Sequence, residues 1–144
     1  MDLISVTSPR KYSIIKKNVK ILIENLKNEL NFSINQLDIN IVNAKTLLDI
    51  NIEFLGHSYD TDIITFNYSE NYTILEGELL ISYDMAKENA NRFNCTLNSE
   101  LLRLIIHGIL HMVGFDDINE NDRKIMKRKE NLFVQKFKNI EIVK

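Results

Sequence analysis

The chain has 144 residues, of which 44% are hydrophobic and 26% are charged, and its formal net charge is -2. This length fits one domain, residues 1–144, with the composition of an ordinary globular protein. The near-neutral charge excludes a global attraction to nucleic acid or anionic membranes, but it leaves room for local basic patches. No apolar run approaches the ~18 residues of a membrane span, and no signal peptide is visible. We therefore expect a cytoplasmic protein without a membrane partner.

The first part of the chain predicts two helices and one strand. Pro9 is the only proline, and its fixed φ suits the start of a helix. Apolar residues recur near helical spacing over residues 10–30 and predict a first helix. Alternating apolar and polar residues over 37–42 predict a strand. Residues 44–54 are again helical, with Gly56 as the C-terminal stop.

The second part predicts two paired strands followed by three helices. Ser99 is the expected N-cap of the most apolar helix in the chain, and Gly114 is expected to end it. The mixed order of elements predicts an α+β fold, with a small mixed β-sheet, a central buried helix and surrounding helices. The expected strands cover residues 62–68 and 78–82, and the expected helices cover 83–93, 100–113 and about 120–138.

The segment from residue 107 to residue 117 carries the clearest chemistry. His107 and His111 stand four residues apart, so both imidazoles lie on one helix face and can bind one metal ion. Gly114 can take the left-handed conformation that ends a helix and reverses the chain, which brings Asp117 back toward the same ion. Two histidines and one carboxylate leave a tetrahedral zinc ion one open position, as in catalytic sites. We predict one zinc ion per chain, held by His107, His111 and Asp117.

Other interpretations of this segment stay open. A lone histidine on an apolar helix is usually a satisfied core residue, and Asp116 and Asp117 could be exposed turn residues. The spacing of the three predicted ligands equals that of the longer zinc-peptidase motif. In those peptidases, however, a glutamate follows the first histidine and acts as general base. Gly108 occupies that position here, which favours a metal-dependent hydrolase of another kind.

The run His-Gly-Ile-Leu-His-Met-Val-Gly-Phe-Asp-Asp at 107–117 is one of several ordered segments that match a known family. The others are Asn-Ile-Glu-Phe at 51–54, Thr-Asp-Ile-Ile-Thr-Phe at 61–66, Gly-Glu-Leu-Leu-Ile-Ser at 77–82, and the single residues Glu100, Met126 and Glu130. This set resembles the YbeY-type endoribonucleases, the bacterial ribosomal RNA maturation factors. The resemblance implies a zinc-dependent enzyme that cleaves single-stranded RNA in maturation of the 3' end of small-subunit ribosomal RNA and in ribosome quality control. It implies ribosomal RNA and the small ribosomal subunit or its assembly factors as partners.

Two positions depart from the family pattern. Asp117 stands where the family usually has a third histidine, and aspartate is an acceptable zinc ligand. Leu55 stands where the family commonly has an arginine thought to face RNA, and leucine cannot replace a guanidinium that grips phosphate. His57, two residues further on, is our candidate catalytic or site-lining residue; the alternative is a partly exposed loop histidine.

Positive charge for RNA could come from two basic clusters, although a basic helix face is often only solvated. The two basic clusters are Arg10, Lys11, Lys16, Lys17 and Lys20 on the first helix, and Arg123, Lys124, Lys127, Arg128 and Lys129 on the last.

Besides the endoribonuclease, two functions stay open: a zinc peptidase or other metallohydrolase, and a ribosome-assembly factor whose metal is structural.

Overall fold

Four strands form one mixed sheet in the computed structural model, which describes residues 3–144. The strands are β1 (Leu3–Thr7), β2 (Ser33–Val42), β3 (Ile63–Asn67) and β4 (Ile74–Ser82). Their order across the sheet is β1-β2-β4-β3. β2 is parallel to both β1 and β4, whereas β3 lies antiparallel to β4 at the edge of the sheet. The predicted pairing of the third and fourth strands is therefore confirmed.

Helices pack around this sheet and confirm the predicted α+β fold. The helix Leu97–Met112, named α4, is the buried helix at the centre, as expected. Within residues 3–144, no helix is both long and apolar enough to cross a membrane. The helices are a short 3-10 helix (Arg10–Tyr12), α1 (Lys16–Leu30), α2 (Ala44–Leu55), α3 (Tyr83–Arg92), α4 (Leu97–Met112) and α5 (Glu120–Lys136).

α4 packs closely against the sheet because Gly108 has no side chain. Leu101, Ile105 and Ile109 are fully buried in the main core. A Cβ atom at Gly108 would lie 2.7 Å from Leu79 Cδ2 and 2.9 Å from Leu79 Cδ1. These distances are shorter than van der Waals contact, so a larger residue at this position would push the helix away from β4.

The first predicted helix is wrong at its N-terminal end. Ser13 has a φ of +56° and interrupts the helical path after the 3-10 helix. Ile14 then forms a β-bridge with Val143 near the C-terminus. This tertiary pairing overrides the helical spacing of the apolar residues, so α1 begins at Lys16 and not at Arg10.

One strand was not predicted, and two others are longer than predicted, since β4 begins at Ile74 and not at residue 78. The missing strand is β1, although its Val6 is buried in the main core. β2 begins at Ser33, four residues before the predicted start. The register of β2 against β4 shifts between Ile34 and Gln36. This irregularity breaks the apolar-polar alternation from which the strand was predicted.

The ends of two helices show how the local sequence sets them. Gly56 has a φ of +68° and ends α2, as predicted. The N-cap of α4 is Thr96 and not Ser99: the Thr96 hydroxyl accepts a hydrogen bond from the backbone N–H of Ser99 at 3.0 Å. Both residue types are good N-caps, so the sequence pattern alone did not separate these two positions.

Candidate metal centre and adjoining clefts

The two histidines of α4 lie side by side at the surface of an otherwise buried helix. The ring centroids of His107 and His111 are 4.7 Å apart. Their side chains are partly exposed, whereas the neighbouring Ile106 and Leu110 are buried in the core. The helical spacing therefore places both imidazoles on the one face of α4 that solvent can reach.

The chain reverses directly after α4 through a hydrogen-bonded C-cap. Gly114 has a φ of +104°, a conformation that residues with a Cβ rarely adopt. Its N–H donates to His111 O at 3.1 Å, and the N–H of Phe115 donates to Leu110 O at 3.0 Å. These two bonds form a Schellman motif. The motif, with Phe115 packed against the core, turns the chain back toward the histidines.

Asp117 completes a cluster with the two histidines. Its Oδ2 lies 3.5 Å from His111 Nε2 and 3.8 Å from His107 Nε2. One ligand atom from each of the three residues lies within 4.8 Å of the other two. The structure thus brings together the three predicted metal ligands in a group that could hold an ion.

The loop that carries Asp117 is held by its neighbours. Asp116 Oδ1 accepts a hydrogen bond from the backbone N–H of Ile118 at 3.1 Å, and Arg123 Nη1 donates to Ile118 O at 2.9 Å. Asn119 then caps α5 by accepting from the N–H of Asp122 at 2.8 Å. These contacts fix the backbone on the C-terminal side of Asp117, which limits where its carboxylate can lie.

Glu130 on α5 pairs with the ring nitrogen of His107 that lies away from Asp117. His107 Nδ1 lies 2.6 Å from Glu130 Oε2. Arg103 Nη1 donates to Glu130 Oε1 at 3.2 Å and to Asn131 Oδ1 at 3.0 Å. Because an ionised carboxylate can only accept, His107 Nδ1 carries the hydrogen of the short bond. The other ring nitrogen, Nε2, therefore faces Asp117.

Glu130 matches the family pattern in the sequence, but no role is predicted for it there. A signal for its position was present, since Met126, Glu130 and Phe133 follow helical spacing on the buried face of α5. An acid within such an apolar stripe needs a partner in the folded protein. The identity of that partner, a histidine on another helix, depends on tertiary packing.

Burial and pairing have opposite effects on the pKa values of His107 and Glu130. Burial disfavours the charged imidazole, but the hydrogen bond and charge of Glu130, with the charge of Asp117, raise the pKa of His107 above its ordinary value. Burial also disfavours the charged carboxylate. The hydrogen bond and charge of His107, and the hydrogen bond from Arg103, nevertheless hold the pKa of Glu130 below its ordinary value.

Two clefts meet at His107. One, of about 560 Å³, lies between α4 and α5 and also contains Asp117 and Glu130. The other, of about 360 Å³, lies between α4 and the edge strand β3 and also contains His111. The histidine and aspartate cluster can therefore be approached from two sides, and a chain-like ligand could pass over it.

A comparison with protein-family models identifies the family of this chain. The model described as Endoribonuclease YbeY matches residues 4–138. The chain belongs to the endoribonuclease YbeY family. The family resemblance of the histidine segment and of the two strands before it is therefore confirmed.

Individual relatives support this membership. A protein named Endoribonuclease YbeY from Chlorobium phaeovibrioides is 46% identical over 86 residues, which cover 60% of this chain and 57% of that protein. Another of the same name, from Cytophaga hutchinsonii, is 39% identical over 108 residues, which cover 74% of this chain and 76% of that protein. The match spans less than two thirds of the Chlorobium protein.

A solved structure shares the fold. A protein from Thermotoga maritima, whose structure was determined in solution, superimposes with a TM-score of 0.65 at 26% sequence identity. The match covers 94% of this chain and 87% of that one. The agreement supports the α+β arrangement in which a central helix carries the two histidines.

The remaining candidate residues differ in whether they line the two clefts. His57 is exposed in the loop after α2, where its Nδ1 lies 3.0 Å from the Tyr59 hydroxyl. It is not among the described residues that line the two clefts, so its catalytic role stays a prediction. Leu55 is exposed at the end of α2. Arg123 and Lys127, from the basic cluster on the last helix, line the cleft beside His107.

Proposed function

We propose that this protein is a zinc-dependent endoribonuclease that cleaves single-stranded RNA. Its role would be maturation of the 3' end of small-subunit ribosomal RNA and ribosome quality control, in the cytoplasm and in contact with the small subunit or its assembly factors. Membership of the endoribonuclease YbeY family supports the reaction class. The observation that carries the proposal is the convergence of His107, His111 and Asp117 where two clefts meet.

The donor atoms and their spacing fit a zinc ion. With ligand bonds of about 2.0–2.1 Å, two ligands of a tetrahedral ion stand about 3.3 Å apart. Asp117 Oδ2 lies 3.5 Å and 3.8 Å from the two Nε2 atoms, so small side-chain shifts complete the set. Imidazole ligands favour zinc over magnesium or calcium, which prefer oxygen. When bound, zinc would supply a Lewis acid that activates water and polarises a phosphodiester oxygen.

Glu130 prepares His107 to act as a ligand. By accepting the hydrogen from Nδ1 at 2.6 Å, its carboxylate favours the tautomer in which Nε2 has a free lone pair. The same bond fixes the orientation of the ring, and Arg103 holds the carboxylate in turn. Such carboxylate–histidine pairs are common behind metal ligands, where they raise the basicity of the imidazole.

Basic side chains of α5 supply the positive charge for RNA. Lys127 and Arg123 line the same cleft as His107, so phosphates entering this cleft meet cations next to the proposed zinc site. Binding through phosphates is independent of sequence and weakens with salt. The net charge of -2 therefore does not conflict with an RNA substrate, because Arg123 and Lys127 place positive charge in the cleft beside His107, among the acidic residues that also line it.

The packing of Gly108 counts against the peptidase alternative. A zinc peptidase would need a glutamate at this position. Even the Cβ atom of such a residue would lie within 3 Å of both Leu79 methyl carbons, so the glutamate side chain would clash with β4. The ribosome-assembly factor with a structural metal is separated from the enzyme by experiment: it predicts zinc binding and binding to ribosomal RNA without cleavage.

The test uses one RNA strand, offered either alone or in a perfect duplex, with the zinc-loaded protein. We expect cleavage of the single strand, loss of cleavage with a chelator, and recovery when zinc is added back. Equal cleavage of the duplex, or cleavage that resists the chelator, would contradict the proposal. Binding of zinc and RNA without any cleavage would support the assembly factor.

A further inference from the structure

The larger cleft extends from the proposed zinc site toward the N-terminal turn of α4. Glu100, Arg103, Leu104 and His107 all line it, and their spacing of three and four residues places them on one face of the helix. Seven residues separate Glu100 from His107, which is about 10 Å along the helix axis. A nucleotide whose phosphate lies at His107 could therefore place a base near Glu100.

The far end of this cleft holds a buried polar network. The Asn89 amide nitrogen donates to Asp62 Oδ2 at 3.0 Å and to Glu100 Oε2 at 3.1 Å. Asn89 is 8% exposed and Glu100 is 4% exposed. Two carboxylates around the amide fix its orientation, because only the nitrogen can donate to them. The network therefore presents acceptor oxygens, and no donor, on this wall of the cleft.

One acceptor in this network has no protein partner. Among residues 3–144, Glu100 Oε1 makes no hydrogen bond. Every side-chain polar atom that is fully enclosed in this part of the chain has a hydrogen-bond partner. The Oε1 atom is therefore reached by solvent, and Glu100 lines the cleft. A carboxylate that is otherwise buried and has one oxygen turned to a cleft suits a ligand that offers hydrogen-bond donors.

An aromatic ring and a cation line the same cleft. Phe93, which follows α3, lines the cleft and is 64% exposed. Exposed aromatic rings at a nucleic-acid site stack on unpaired bases. Lys127 also lines the cleft and can neutralise a phosphate. The combination of stacking surface, cation and buried acceptors is that of a nucleotide subsite.

We propose that this end of the cleft is a base-binding subsite that selects guanine next to the cleaved phosphate, with Glu100 as the residue that determines specificity. This inference rests on the proposed ribonuclease function. Guanine offers two adjacent donors, N1–H and the N2 amino group, which match the unpartnered Oε1 of Glu100 and the second lone pair of its Oε2, whose first lone pair accepts from Asn89. Uracil has one donor between two carbonyls, and adenine and cytosine place an acceptor beside their amino groups.

The alternative is that Asn89 and Glu100 only fasten α3 to α4. A purely structural pair would make no distinction between bases. The test therefore compares GMP with IMP, which differ only in the N2 amino group of the base. Both are titrated into the zinc-loaded full chain, and the backbone amide signals of Phe93 and Glu100 are followed by NMR.

We expect GMP to bind about tenfold more tightly than IMP, as for the loss of one hydrogen bond to a charged acceptor. In Glu100→Gln the ratio of the two affinities should fall to about one. The glutamine oxygen would accept the hydrogen bond from Asn89, so the NH2 group, a donor, would replace the acceptor oxygen that faces the cleft. The control variant Glu88→Gln changes an exposed glutamate of α3 and should keep the wild-type ratio. Equal affinities in the wild type, or no binding of either nucleotide, would overturn the inference without relying on any variant.

Cleavage on the same samples separates this inference from the function on which it rests. The substrate is a single strand with one guanosine, compared with the same strand carrying inosine. If both strands are cleaved alike, the guanine subsite is wrong and the ribonuclease stands. If GMP is preferred but neither strand is cleaved, the subsite stands and the ribonuclease is wrong.

Discussion

His107 Nδ1 lies 2.6 Å from Glu130 Oε2, so the buried carboxylate of α5 is directly bonded to the first histidine of α4. Arg103 donates to the other oxygen of the same carboxylate at 3.2 Å. Two helices that are adjacent in the fold but separated by a loop in the chain are thus joined behind the proposed zinc site. The position of the His107 ring depends on a residue 23 positions away.

Removal of this carboxylate should weaken zinc binding. Glu130→Ala leaves His107 Nδ1 without its acceptor, and loss of such an outer partner typically lowers metal affinity about 10- to 100-fold. Competition with a chromophoric chelator measures the affinity. Glu120→Gln, on the exposed start of the same helix, is the control and should bind as the wild type does. Wild-type affinity in Glu130→Ala would show that the contact is not used.

The stability of the metal-free protein should depend on pH through the charges of His107 and Glu130. Because the pKa of His107 is raised, its stabilising contribution is present below the ordinary value of 6.5 and is lost as the pH rises through the folded value. Because the pKa of Glu130 is lowered, its contribution is present above 4.5 and is lost as the pH falls through the folded value.

Two measurements check this pH dependence. The free energy of unfolding of the metal-free wild type should exceed that of Glu130→Gln most clearly between these two values. An NMR titration of the His107 ring should give a lower pKa in Glu130→Gln than in the wild type. An unchanged titration of His107 would contradict the assignment of Glu130 as the cause.

Gly108→Ala should destabilise the protein despite the better helix propensity of alanine. The propensity gain is about 1 kcal/mol, whereas an extra carbon against a packed neighbour costs about 1–3 kcal/mol. Urea denaturation should therefore show a net loss of stability of up to about 2 kcal/mol.

The double variant Gly108→Ala with Leu79→Val tests the cause of this loss. Valine removes a terminal carbon from the side chain that a Cβ would meet. We expect the two substitutions to couple favourably by about 0.5 kcal/mol or more. Additive effects would indicate that the contact with β4 is not what excludes a larger residue.

Glu100→Gln should stabilise the protein at neutral pH. Burial is the main reason that the pKa of Glu100 is raised, with the hydrogen bond from Asn89 acting in the opposite direction. A carboxyl with a raised pKa stabilises the fold below its unfolded pKa, and this contribution is lost as the pH rises through the folded value. The advantage of the glutamine should thus be present at pH 7 and shrink toward pH 4.

Urea denaturation of the two proteins at both pH values measures this difference. Glu88→Gln, which changes an exposed carboxylate, should show no comparable pH-dependent gain. A Glu100→Gln variant that is less stable than the wild type at pH 7 would mean that the charge of Glu100 is needed by the fold.

Short-range patterns made the central part of the site predictable. The spacing of His107 and His111 and the glycine after them predicted one cluster with Asp117, and the structure brings these groups together. The reason is that one helix and its C-cap set their positions. The strand pairing of β3 with β4 was likewise local in sequence.

Long-range contacts account for what was missed. Glu130 reaches His107 because α5 packs against α4, and local sequence patterns do not show that packing. Similarly, α1 starts later than predicted because Ile14 pairs with Val143. β1 has only five residues and is parallel to a strand about 30 positions later. Such pairing leaves little trace in local periodicity.

The most direct test of the account is the metal content of the purified protein, measured with RNA cleavage on the same samples. The wild type is compared with His111→Ala, Asp117→Ala and the control Glu120→Ala, which changes an exposed acidic residue at the start of α5. We predict about one zinc ion per chain in the wild type and the control, and loss of both zinc and cleavage in the other two. A wild type that binds no metal, or an Asp117→Ala variant that keeps both zinc and cleavage, would contradict the account.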